Sequence, residues 1–70
     1  MYDPFNFREV AETAAACARR DPMLAAWVER LIREGRTSGP EWDRAVDALR
    51  RNRRMWKDAS EVLTHHSAEA

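Results

Sequence analysis

Seventy residues with twelve basic and twelve acidic side chains, and a formal net charge of zero, make one small domain at most. They exclude both a wholly basic nucleic-acid coat and an acidic disordered tail. A core this small is marginal, and the single cysteine, Cys17, excludes an internal disulfide, so a second subunit is the natural source of extra burial.

No run approaches the roughly 18 apolar residues of a membrane span. The opening Met1-Tyr2-Asp3-Pro4 has no basic and apolar leader pattern, so a cytoplasmic protein is expected. Eleven of the twelve basic residues are Arg and Ala is abundant, a bias common in high-GC bacterial and phage genes.

In chain order, residues 1–6 form an aromatic lead-in whose Tyr2 and Phe5, with Phe7, are expected to pack on the core. Asn6 with Glu9 three residues on has capping-box spacing. A first helix is expected over 7–20, with Phe7, Val10, Ala11, Ala14, Cys17 and Ala18 at helical period. Most are small, which permits close approach to a neighbour. Asp21-Pro22 predicts a break, since Asp caps a helix and Pro suits its first position; one helix kinked at Pro22 is the alternative. A second helix is expected over 22–34, facing inward with Leu24, Trp27, Val28 and Leu31.

Gly35 reads as a helix stop and 35–39 as a turn. Ser38 with Glu41 reads as a second capping box. A long helix is then expected over 39–65, followed by a polar tail, 66–70. Its main stripe is Trp42, Leu49, Trp56 and Leu63, seven residues apart, with Ala45, Val46 and Ala59 filling the turns between them. Met55 and Val62 widen that face, and Asn52 with Arg53 interrupts it. A polar residue on a seam fixes register or partner number; at the edge of the stripe it is simply solvated. No strand pattern or repeat is visible. The fold class is therefore all-α: three helical segments forming a bent helical hairpin, completed as a homodimeric helix bundle.

Arg50, Arg51, Arg53, Arg54 and Lys57 place five positive charges in eight residues. Three uses are open: local pairs such as Asp47–Arg51 and Arg54–Asp58, contact with an acidic protein surface, or contact with phosphates. A fourth follows from charge order. Two long helices packed antiparallel bring Glu41, Asp43 and Asp47 toward the Arg cluster of the other copy. Three tryptophans are a large aromatic share for this length; Trp27 reads as core, while Trp56, among arginines, suits core or interface.

Neither His65-His66 nor any other set has metal-ligand spacing, and Cys17 lacks a flanking base, so it reads as a buried thiol. No nucleophile–base pair or phosphate loop is identifiable, so no enzyme, cofactor, metal or small-molecule substrate is expected. The second helix, turn and last helix resemble a helix-turn-helix, although the turn 35–39 is slightly long and a recognition helix is usually much shorter. Ala48-Leu49 with Asn52-Arg53-Arg54-Met55-Trp56 resembles a short stretch of the bacterial flagellar regulator FlaF; it spans under a fifth of the chain, and no function is carried over from it.

The expected function is that of a small cytoplasmic protein-binding module, an adaptor, inhibitor or regulator of the kind phages encode. It would dock an Arg/Trp-bearing helix face on a larger host protein. The expected contacts are Trp42, Arg50, Arg53, Arg54, Met55, Trp56 and Lys57. The alternative is a DNA-binding regulator using Arg50 to Lys57 on phosphates.

Overall fold

The computed structural model describes residues 6–69, with side chains to His65. It is all-helical among these residues: α1 spans Phe7–Arg33 and α2 spans Pro40–Glu69. The two helices pack against each other as an antiparallel hairpin. The tail expected over 66–70 is, as far as Glu69, a continuation of α2. The lead-in residues Tyr2 and Phe5 lie outside the described residues.

Asn6 caps α1 as its sequence predicts, its side chain accepting from the Glu9 N–H at 3.2 Å. This satisfies one of the orphan donors of the first turn. The far end closes at Gly35, whose φ of 70° suits only a residue without a Cβ. The Arg36 N–H reaches the Leu31 carbonyl at 2.8 Å and the Gly35 N–H reaches Ile32 at 3.1 Å. That pair of bonds is a Schellman motif, and it ends the helix.

Two local expectations are corrected. The segments 7–20 and 22–34 are one continuous helix with Pro22 inside it. Proline in a helix interior costs about 3 kcal/mol and leaves the carbonyl four residues back, that of Ala18, without its usual donor. Contacts on both sides of Pro22 offset this. Val10, Cys17 and Leu31 on α1 are fully buried, so α1 is held to α2 along its length. The second correction concerns Ser38. α2 begins at Pro40, and the first carbonyl of its ladder is that of Gly39, which accepts from the Asp43 N–H at 3.0 Å. Ser38 is thus one residue too early to cap. Glu41 turns instead to Arg36 and Trp27.

The packing seam also differs from the expected stripe. The buried positions of α2 are Ala45, Asn52 and Ala59, again seven apart. Trp42, Leu49, Trp56 and Leu63 are only half-buried. Small residues sit on the contact line because they let two helices approach closely, and the large ones are displaced to its flank. On α1 the matching line is Val10, Cys17, Leu24 and Leu31, of which Leu24 is half-buried. Asn52 is on the seam and not at its edge: it is 7% exposed, and its Nδ2–H donates to the Cys17 carbonyl at 2.9 Å. Stepping seven residues either way in an antiparallel pair brings Val10 level with Ala59 and Leu24 level with Ala45.

The molecule measures 49 × 21 × 14 Å. With a helix about 10–12 Å across, it is two helices wide and one helix thick. A packed domain has a second layer; this hairpin by itself has none, so each helix is open on both flanks of the seam.

Two substitutions test this packing. Asn52→Ala should lower unfolding free energy by about 1–3 kcal/mol in urea, because it removes a buried bond and leaves the Cys17 carbonyl without that donor. Pro22→Ala should raise it by on the order of 1–3 kcal/mol, since the continuous helix regains a hydrogen bond. If Pro22 marked a break between two helices, the alanine variant would gain nothing.

Candidate interaction surface on the second helix

The seven residues expected to touch a partner divide between the two sides of the seam. Successive residues of a helix point about 100° apart. Met55 and Trp56, three and four residues past the buried Asn52, therefore diverge to opposite flanks. Trp42, Arg50, Arg53, Trp56 and Lys57 share one sector of α2, with Arg54 beyond it on the outer side, away from α1. Met55 stands apart from all of them.

On the tryptophan flank, Arg53 crosses to α1. Its Nε donates to Asp21 Oδ1 at 2.9 Å, and the hydrogen bond with the carboxylate beside it raises the guanidinium further above its ordinary value. Asp21, Arg53, Trp56, Lys57 and Ser60 line a cleft of about 430 Å³ here. Asp21 was not foreseen as part of a site. Its signal was available only through the antiparallel register, which brings the turn at Asp21 alongside Arg53.

On the other flank, Met55 is 50% exposed. With Thr13, Ala59 and Val62 it forms the apolar floor of a cleft of about 500 Å³, and Arg51, Arg54 and Asp58 stand at its edge.

The charges of α2 are unequally committed. Arg51 pairs with Asp47 at 2.9 Å, as its i, i+4 spacing predicts. Glu41 accepts from Trp27 Nε1 at 3.1 Å and from Arg36, which also pairs with Glu34 at 3.2 Å. The Trp27 hydrogen bond first, then the nearby Arg36 and Arg30 charges, hold the Glu41 carboxyl below its ordinary value. Trp27 is accordingly half-buried at the loop end of the hairpin instead of sealed in a core. Asp47 and Glu41 are thus engaged within the chain, which removes most of the acid needed for the expected antiparallel α2–α2 charge pairing. Arg50, Arg54 and Lys57 are exposed and make no ion pair among the described residues. They follow one another at i, i+4 and i+7, a single row along the outer side of α2.

Cys17 is fully buried and free. Among the described residues no three His, Cys, Asp or Glu side chains come together to hold a metal, and no helix is long and apolar enough to cross a membrane. Compared with models of protein families, with curated proteins and with solved structures, the chain matches none.

Glu41 gives this surface a pH signature. A carboxyl whose folded pKa is lowered contributes stability that is present above its unfolded value and is lost as pH falls through the folded one. The Trp27 indole N–H resonance should therefore move with a midpoint below the ordinary glutamate value of about 4.3. A transition at or above that value would contradict the Trp27–Glu41 contact.

Proposed function

We propose that this chain is a small protein-binding module, an adaptor, inhibitor or regulator that docks through α2 on the acidic surface of a larger protein. The observation that carries this reading is the row Arg50, Arg54 and Lys57, three exposed cations with no ion-pair partner among the described residues, bordered by the half-buried Trp56. Desolvated arginine and tryptophan are the residue types that dominate binding energy at protein surfaces. An unpaired cationic row on a rigid helix steers an acidic partner without reorganising. The action is steric: a rod 49 Å long covers or holds part of its partner.

The same row supports a second reading, contact with nucleic-acid phosphates across a groove. Salt dependence separates the two, because phosphate contact releases counterions and its affinity falls steeply with salt.

The decisive comparison uses tagged full-length chain in extract from its own source cells. Wild type and Met55→Gln should recover the same protein, and Arg50→Glu/Lys57→Glu should lose it while retaining helical circular dichroism. Equal recovery by the charge-reversed variant would move the site off this row. A gel shift on arbitrary duplex at low salt that disappears as salt rises would favour the nucleic-acid reading.

A further inference from the structure

The tryptophan flank of the hairpin carries a second helical stripe on each helix. On α2 it is Trp42, Val46, Leu49, Arg53, Trp56 and Ser60, at alternating spacings of four and three. On α1 it is Ala11, Ala14, Ala18, Asp21, Ala25, Val28 and Ile32, at alternating three and four. Such spacing is that of a helix that packs against neighbours on two sides. Each stripe holds one charged residue, and these two, Asp21 and Arg53, bond to each other at 2.9 Å. The face is therefore apolar and internally neutral. It is also uncovered among the described residues: Ile32 is 54% exposed, and the molecule is 14 Å thick.

We propose that a second copy of this chain covers this face, with α1 of each copy lying on α2 of the other in a four-helix bundle. Size complementarity supports that pairing. The Asn52–Cys17 contact sets the levels along the rod. From it, Ala14 is level with Trp56, Ala18 with Arg50 and Ala25 with Trp42. A two-fold axis parallel to the rod keeps every level, so Trp42 and Trp56 of one copy come over alanines of the other. Arg50 and Lys57 meet Ala18 and Ala11 at the edge, where their heads stay in water.

Charge excludes the other symmetric arrangement. An axis crosswise to the rod stacks α2 on α2, and so Asp21 over Asp21 and Arg53 over Arg53. The parallel axis places Arg53 of one copy beneath Asp21 of the other, so every neighbour in the resulting quartet has the opposite sign. Both axes make every adjacent pair of helices antiparallel, so the charges and not the helix dipoles choose between them. A face of 49 by 21 Å offers on the order of 1,000 Å² per copy, more than the roughly 800 Å² a side of a standard stable interface. The cationic row Arg50, Arg54 and Lys57 remains at the surface of this dimer, so the proposal stands whether or not that row binds a larger protein.

Sedimentation and label distances on the full chain test it. Wild type should be a dimer at tens of micromolar. Ala11→Arg and Ile32→Glu change residues exposed in the single hairpin, so each should keep its helical content and weaken association about tenfold. Asp21→Arg and Arg53→Asp, each monomeric alone because their quartets carry one sign, should associate when mixed. Spin labels on Thr37→Cys, with Cys17 buried and unreactive, should lie about 20 Å apart, since both loops share one end of the bundle. A monomer throughout, or a dimer unmoved by Ala11→Arg and Ile32→Glu, would overturn the proposal. So would labels about 45 Å apart, the crosswise arrangement, or contacts from Tyr2 or Phe5 to the Trp56 indole in a monomer, which would give the face to the chain's own first residues.

Discussion

The contact between Asn52 and the Cys17 carbonyl determines the rest of the molecule. An amide in a thin apolar seam must find a partner, because leaving it unpaired costs about 1–3 kcal/mol. The partner here is a main-chain oxygen on α1, 2.9 Å away, in the stretch where Pro22 interrupts the helical ladder. Once that bond is made, sliding α2 along α1 breaks it, and rotating α2 takes Asn52 off the seam. Ala45 and Ala59 then fall on the contact line at one heptad either side. The indoles and leucines, three residues before or four after, are left on the flank. Close helix approach and an open aromatic face are thus two results of one constraint.

Charges follow the same register. The alignment that satisfies Asn52 brings Arg53 to Asp21 and Glu41 to Trp27. These bonds lie at the middle and at the loop end of the hairpin. The Arg53–Asp21 ion pair is between partly solvated groups and adds little stability. The larger effect of the two bonds is selective: they engage Asp21 and Glu41 within the hairpin, while Arg50, Arg54 and Lys57 face outward with no ion pair among the described residues.

Much of this was legible in the residues. Asn6 and Gly35 have local reasons for their positions, a side-chain acceptor and a positive φ, and both act where their chemistry predicts. The helical hairpin follows from the period of α2 and the turn before it. What failed had a non-local cause. Asp21-Pro22 carries good signals for a new helix start, but packing on both sides of Pro22 overrides them. Ser38 has the spacing of a cap, yet Gly39 with φ of 97° lets the chain enter α2 one residue later. Most instructive is the seam itself. Large apolar residues suggest the core by their size, so Trp42, Leu49, Trp56 and Leu63 read as the contact line. In a two-helix structure close approach favours the small residues instead, and the alternation of Ala45, Asn52 and Ala59 carried the information. The same neglect of small residues hid the alanine strip of α1 and the place of Asp21 within it.

The account is most directly tested by the side-chain amide of Asn52 in an NMR spectrum of the intact chain. It predicts slowly exchanging Nδ2 protons with nuclear Overhauser contacts to Cys17 and its neighbours on α1. A rapidly exchanging amide, together with indole contacts from Trp56 to Val10 and Cys17, would place the tryptophans on the seam and contradict it.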